Sequence, residues 1–128
     1  MQGNFQGAID EYSKAIALDA RHFKALFNRG FSYDKTGRYD LALDDYTAAL
    51  DVEPGNSYAH YNRGITKDRK GDYVGAVTDF TTAINLEPGN ADFYHNRGFS
   101  LRKQVLQDLC PGPTCQSEIF LAKRQLST

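Results

Sequence analysis

Three features are missing from this chain of 128 residues. No apolar run is long enough to cross a bilayer, for which about 20 residues are needed. No leader of basic, apolar and small residues is present that would direct secretion. The net charge is only −1, with acidic and basic residues interleaved, whereas a phosphate-binding surface requires a clustered positive face. We therefore expect an intracellular, cytoplasmic protein that binds neither membranes nor nucleic acid.

Cysteine is nearly absent, with only Cys110 and Cys115 in the chain. These residues are five apart across two prolines, so they could close a small disulfide loop. A reducing compartment favours two free thiols instead. A metal site would require about four ligands, and the histidines are spread through the chain without clustering near the thiols. We expect free thiols and no metal or other cofactor.

Catalytic motifs are also missing. No Gly-rich loop precedes a Lys-Ser/Thr pair, and there is no His-Glu-x-x-His. Acidic pairs such as Asp44-Asp45 lie at adjacent positions of predicted helices, so they point in different directions and cannot bracket one substrate. The sequence therefore indicates a protein that is not an enzyme.

What the chain does contain is an internal repeat. The tripeptide Asn-Arg-Gly occurs at 28–30, 62–64 and 96–98, at a constant step of 34 residues. Glycines, aromatic residues and alanines keep the same step, among them Gly37 and Gly71; Tyr12, Tyr46 and Phe80; Ala8, Ala42 and Ala76. A fixed period of this length predicts a stacked array rather than one globular core.

The periodic residues resemble the tetratricopeptide repeat (TPR), a helix-turn-helix unit of 34 residues. Residues 23–56 and 57–90 are complete copies, 1–22 match the second helix of an incomplete copy, and 91–104 match the first helix of a further copy. The divergent tail, 105–128, lacks the pattern. The resemblance implies an all-α fold, a short right-handed α-solenoid of antiparallel helix pairs with six to seven helices.

Local signals predict where the helices end. Gly37 and Gly71 suit the left-handed geometry that follows a first helix, and Glu-Pro-Gly-Asn at 53–56 and 87–90 stops a second helix because proline cannot continue it. The final asparagine of each tetrapeptide can cap the next helix. We predict helices near 4–19, 23–36, 39–52, 57–70, 73–86 and 91–108.

Glycine and arginine inside the first helices need a tertiary reason. Glycine costs about 1 kcal/mol relative to alanine in a helix, so we expect a closely packed partner helix beside Gly30, Gly64 and Gly98. The preceding arginines recur in phase with acids on the second helices. We hypothesise that these arginines bridge to acids of packed neighbours; the two sets are Arg29, Arg63 and Arg97, and Glu11, Asp45 and Asp79.

The two ends depart from the repeat. Residues 1–22 lack a first helix, so an apolar face is left open, and we suspect a fragment or a shortened isoform of a longer array. In the tail we predict a helix extension, a turn over 110–115 and a short helix from Ser117, which either folds back in place of the missing helix or stays mobile and pairs with another chain. The second alternative makes a homo-oligomer through the terminal helices possible.

The resemblance places the first helices along a concave groove, where peptide-binding members of the family hold ligand backbone with a ladder of asparagines. Helical spacing puts three residues of each first helix on one stripe: Phe27, Asn28 and Phe31; Tyr61, Asn62 and Ile65; His95, Asn96 and Phe99. The alternative for the asparagines is that each one bonds a neighbouring helix. We expect these nine residues to form the partner-binding groove.

Co-chaperone members of the family hold the terminal carboxylate of a heat-shock chaperone with a clamp of lysine, asparagine and arginine. Only Asn62 matches that clamp here, because Phe27, Phe31, Asp92 and Asn96 stand at its other positions. We therefore expect a protein-interaction module or scaffold that binds a peptide segment but does not capture chaperone tails. The alternative is an architectural or self-associating segment of a larger protein, with no peptide ligand.

Overall fold

A computed structural model describes residues 3–110, and within that range the chain forms six α-helices and no strand. Every helix boundary lies within one residue of its predicted position. The elements are α1 (Phe5–Leu18), α2 (Phe23–Lys35), α3 (Tyr39–Val52), α4 (Ser57–Lys70), α5 (Tyr73–Leu86) and α6 (Ala91–Leu109). None of these six helices is long and apolar enough to cross a membrane.

The helix ends follow from the residues predicted to form them. Gly37 and Gly71 adopt positive φ angles of 78° and 96°, which glycine tolerates because it has no Cβ. Asn56 accepts a hydrogen bond from the backbone N–H of Ala59 at 3.0 Å, which caps α4. Asn90 caps α6 in the same way. The predicted caps and stops are therefore confirmed.

The helices stack as a short solenoid of antiparallel pairs. Each helix packs on the next one along the chain, and the first helices α2, α4 and α6 also contact one another in sequence. The core is supplied largely by periodic residues of the second helices, which are almost completely buried: Ala42, Tyr46, Ala49, Ala76, Phe80 and Ala83.

The interior glycines allow the pairs to pack closely. A Cβ built on Gly30 would lie 3.0 Å from the ring of Tyr46, and one on Gly64 would lie 2.7 Å from the ring of Phe80. The predicted close approach is confirmed at these two positions. Around Gly98 no atom of the described chain comes within 4 Å of the same point. The prediction therefore fails at Gly98, because the second helix of the same repeat does not follow α6 within residues 3–110, and α5 of the preceding pair does not approach this position.

The tail is only partly described. Helix α6 continues to Leu109, which confirms the predicted helix extension. Cys110 is buried and disulfide-bonded, which corrects the expectation of a free thiol at this position. The predicted turn over 110–115, apart from Cys110, and the predicted helix from Ser117 lie outside the described residues, as does Cys115.

Candidate functional site

The candidate groove is the face formed by α2, α4 and α6, and it holds the nine residues predicted to bind a partner. The three asparagines behave differently from one another. Asn28 is exposed, Asn62 donates from Nδ2 to the carbonyl oxygen of Tyr58 in its own helix at 2.9 Å, and Asn96 donates to the hydroxyl of Tyr61 at 2.6 Å. Only the Asn96 amide therefore bonds a neighbouring helix, as the alternative interpretation proposed.

The row formed by Phe27, Tyr61 and His95 is partly used for packing. The Phe27 ring lies 5.7 Å from that of Tyr46. The Tyr61 ring lies 5.7 Å from Phe80 and 4.7 Å from Phe93. Burial raises the pKa of Tyr61, and the negative charge of Asp92 adds to that shift. Phe27 and Tyr61 are half-buried between helices, whereas His95 is exposed.

The row formed by Phe31, Ile65 and Phe99 presents more apolar surface. Phe31 is 39% exposed and Phe99 is 45% exposed, although both are aromatic. A pocket of about 310 Å³ opens beside this row between α4 and α6. Its walls bring together three of the predicted residues, Ile65, Asn96 and Phe99, with Phe80 at its base and Asp68, Arg69, Ser100 and Lys103 around it.

A buried polar network links the first helices, and the sequence analysis did not identify it. Asp34 of α2 accepts hydrogen bonds from Thr66 at 2.8 Å and from Arg69, both on α4. Asp68 of α4 repeats the arrangement with α6, accepting from Ser100 at 2.5 Å and from Lys103 at 2.7 Å. The period of 34 residues carried the signal, because hydroxyl residues recur at 32, 66 and 100 and basic residues at 35, 69 and 103.

This network pairs the positive charges at the pocket with carboxylates. Arg69 and Lys103 are the basic residues at the pocket, and each is neutralised by a carboxylate of the preceding first helix. A basic side chain that is already paired with a carboxylate attracts an incoming anion less strongly. The pocket therefore favours apolar and neutral polar groups over a free carboxylate.

The arginines of the repeated tripeptide fix each helix pair. Arg29 makes two bonds to Asp45, at 2.8 and 2.7 Å, and Arg63 makes two to Asp79, at 2.9 and 2.8 Å. Such forked pairs between arginine and a carboxylate are directional as well as strong. The predicted bridges are confirmed for these two arginines.

Arg97 and Glu11 do not form the predicted kind of bridge in the described part of the chain. Within residues 3–110, Arg97 has no carboxylate partner and bonds the Thr81 hydroxyl at 3.3 Å. Glu11 pairs with Lys14 of its own helix at 2.9 Å. The bridge predicted for these residues is therefore not formed in a single copy of the described chain.

The part of the chain that the structure describes places no group of three or more His, Cys, Asp or Glu side chains where they could hold a metal ion. His60, which stands where other copies have a bulky packing residue, is half-buried, and its Nε2 lies 2.8 Å from the carbonyl oxygen of Pro54. That contact involves Nε2 alone, whereas Nδ1 is buried without a hydrogen-bond partner among the described residues.

Comparison with known proteins agrees with this architecture. A family model described as tetratricopeptide repeat matches residues 23–56, and a second, described as TPR repeat, matches residues 1–37. No curated protein matches the sequence significantly.

Among solved structures, the second TPR domain of human RPAP3, in complex with the HSP70 peptide SGPTIEEVD, is 31% identical with a TM-score of 0.74, covering 77% of this chain and 82% of that one. The first TPR domain of human RPAP3 is 21% identical with a TM-score of 0.80, covering 84% of each chain. A crystal structure of MamA is 23% identical with a TM-score of 0.78, covering 83% of this chain. The last two likenesses show the fold alone.

This chain spans only 62% of the MamA chain in that structure and 58% in a second one. Comparisons of the whole proteins therefore extend no further than the shared helices.

Proposed function

The chain belongs to the tetratricopeptide repeat family of protein-interaction modules, and we propose that it binds an apolar peptide segment of a partner protein along α2, α4 and α6. The observation that carries the proposal is the row of Phe31, Ile65 and Phe99. Phe31 and Phe99 stand partly in solvent there, and Phe99 lines a pocket in which apolar and amide groups lie beside charged groups that are already paired. Large apolar groups flanked by a few fixed polar ones are typical of binding surfaces.

The three asparagines contribute differently to the hydrogen bonding of the groove. Asn28 is exposed and keeps its donors and acceptor for ligand backbone. Asn62 uses its amide N–H on its own helix and keeps its carbonyl oxygen as an acceptor. Asn96 holds Tyr61 in place and therefore shapes the pocket. The proposed site thus uses the nine residues unequally, with Phe31, Phe99 and Asn28 as the direct contacts.

We expect an affinity in the micromolar range. Covering about 300 Å² of apolar surface contributes roughly 7 kcal/mol. A few backbone hydrogen bonds add about 1 kcal/mol each. The loss of translational and conformational freedom removes much of this sum.

The proposed ligand is not a chaperone tail, although the RPAP3 domain described above is in complex with an HSP70 peptide. Phe27 and Phe31 occupy positions where a carboxylate clamp has a lysine and an asparagine. Asp92 occupies a lysine position and would repel an anion, and the basic residues at the pocket are already paired. We therefore propose binding of a partner segment through the groove without a carboxylate clamp.

The test uses peptides selected from a random display library on the wild-type chain, with affinity then measured by fluorescence anisotropy. The double variant Phe31→Ala/Phe99→Ala should weaken binding at least tenfold. Leu41→Ala is the matched control, because Leu41 is 46% exposed but lies on the second helix α3. Equal losses for both variants would show that the groove is not the binding site.

The peptide SGPTIEEVD serves as the carboxylate probe in the same assay. We expect no saturable binding up to about 1 mM, which corresponds to less than about 4 kcal/mol of binding free energy. Micromolar binding that Asn62→Ala abolishes would replace the proposed ligand class with a carboxylate-terminated peptide.

A further inference from the structure

The two ends of the described array are complementary halves of one repeat. In each complete pair, the aromatic residue of the second helix covers the glycine of the first, and an arginine bridges to an acid 16 residues later. Within residues 3–110, α6 is a first helix without the second helix of its own repeat, although α5 of the preceding pair packs on it, and α1 is a second helix without the first helix of its own repeat.

The open face of α6 presents one apolar stripe. Tyr94, Leu101 and Val105 are between 43% and 55% exposed. They are spaced along the helix on either side of Gly98, where an added Cβ would meet nothing within 4 Å of the described chain. The stripe also includes Arg97, whose bond to Thr81 matches the bonds of Arg29 to Ser13 and of Arg63 to Thr47. Arg97 thus has the hydroxyl partner of the other arginines and lacks their acid.

Helix α1 carries the aromatic residue and the acid that a second helix would place against α6. Its residues Ala8, Tyr12 and Ala15 share repeat positions with Ala42, Tyr46 and Ala49, which are at most 1% exposed, yet in α1 they are only half-buried. Glu11 stands at the position of Asp45 and Asp79 and is exposed. Both the aromatic residue and the acid of a second helix are therefore available at the opposite end of the chain.

We propose that copies of this chain associate head to tail, with α1 of one copy packing on α6 of the next as its second helix. Tyr12 then covers Gly98, and Glu11 pairs with Arg97. Glu11 can keep Lys14 as well, since Asp79 already accepts from both Arg63 and Lys67. The two surfaces differ, so the contact is heterologous and each added copy leaves a further end open.

The sequence favours a second copy over the chain's own tail as the occupant. Counting 16 residues from Arg97 reaches Pro113, and the same step from Gly98 reaches Thr114. Proline supplies no carboxylate and threonine supplies no aromatic ring. In the repeat register, Glu11 and Tyr12 of another copy provide both groups.

Sedimentation velocity of the full chain from about 1 to 300 µM tests the proposal, since this range of concentrations detects dissociation constants in the micromolar range. The wild type should form oligomers that grow with concentration. Arg97→Glu and Glu11→Arg should each weaken association at least tenfold, because each places like charges opposite one another. An equimolar mixture of the two variants should associate again, since every contact then pairs opposite charges.

Three results would overturn the proposal: a wild type that stays monomeric at all concentrations, charge variants that associate as tightly as the wild type, or a mixture that fails to recover. Monomers throughout would point to the chain's own tail as the occupant of α6. Asp44→Arg, a charge reversal at an exposed position of α3 in the middle of the array, is the matched control and should leave association unchanged.

Gly98→Leu gives a second test that does not depend on charge. The side chain fits in the isolated chain but would meet Tyr12 of the incoming copy, so helicity by circular dichroism should be kept while association is lost. Retained association with Gly98→Leu would also overturn the proposal. The groove variant Asn62→Ala, whose side chain bonds its own helix α4 in the middle of the array, should associate normally, which separates this inference from the proposed peptide binding.

Discussion

Gly64 and Gly98 share a position in the repeat but have different surroundings. The ring of Phe80 and the Cβ of Asp79 lie so close to Gly64 that a methyl group there would have to displace them. Gly98 has no such neighbour within the described residues. The same residue is therefore required by packing at one position, and at the other it only lowers helix propensity.

Alanine substitution should separate these two cases. We expect Gly64→Ala to lower the free energy of unfolding by about 1 to 3 kcal/mol, because overpacking outweighs the gain in propensity. Gly98→Ala should raise it by up to about 1 kcal/mol. Urea unfolding at low protein concentration measures both, and a loss of stability in Gly98→Ala would show that a helix already covers this position.

Tyr46 gives a prediction for alkaline pH. Burial raises the pKa of its hydroxyl well above 10.0, and the charge of Asp34 adds to the shift. The unfolded chain ionises tyrosine near pH 10, so stability is fully present below that pH and falls as pH rises above it. The contribution of Tyr46 to this loss should reach up to about 1.4 kcal/mol per pH unit.

The Tyr46→Phe variant isolates that contribution, and Phe80 shows that phenylalanine fits the same position of the next repeat. Urea unfolding from about pH 8 to about pH 11 should give a shallower decline for the variant than for the wild type. The lysines titrate equally in both proteins and cancel in the difference. Parallel declines would mean that Tyr46 ionises normally in the folded state.

At the scale of helices, polar contacts hold the array in register. The arginine bridges join the two helices of a pair, whereas Asp34 and Asp68 join each first helix to the next. A carboxylate that accepts from a hydroxyl and a cation together specifies both the distance and the rotation between two helices. The row of first helices is therefore set by polar side chains as well as by apolar packing.

Removing one of these carboxylates should loosen α6. Asp68→Ala leaves Ser100 and Lys103 without their acceptor, so we expect a loss of about 1 to 3 kcal/mol in the free energy of unfolding. Asp40→Ala is the control, because Asp40 of α3 also pairs with a lysine of another helix, Lys70 of α4, but is exposed. That variant should change stability by less than about 0.5 kcal/mol. Similar losses in the two variants would argue against a special role for the buried network.

At the scale of the whole molecule, stability comes from contacts between neighbours in a row. The inner helices α2 to α5 are each packed on both sides, whereas α1 contributes only Ile9 to the buried residues of the described chain and α6 contributes few. Repeat arrays of this kind lose structure from their ends, because each unit is stabilised only by its neighbours.

Native-state hydrogen exchange should show this gradient. We expect amide protection to be highest in α3 to α5 and lowest in α1 and α6 at dilute protein concentration. At concentrations where copies associate, the two terminal helices should gain protection together. Uniform protection across all six helices would instead indicate a single cooperative unit.

The candidate site could be predicted only in part from the sequence. Helical spacing put Ile65, Asn96 and Phe99 in the groove, and in the structure all three line one pocket, while their contact with a partner stays a prediction. It could not tell that Tyr61 would pack against Phe80 and Phe93, or that Asn96 would bond Tyr61, because residues at one repeat position meet different partners in successive copies. The residues of the buried polar network around Asp34 and Asp68 recur with the 34-residue period, but their contacts can be recognised only in the structure.

The sequence by itself determined the helices and their order, since glycine, proline and asparagine act on the backbone within a few residues of their own positions. The period of 34 residues also determined which helices pair, because the same short contacts recur in each copy. Tertiary structure alone decided which polar side chains are paired and which aromatic residues remain exposed. Those outcomes depend on distances between helices, where differences of an ångström separate a hydrogen bond from open solvent.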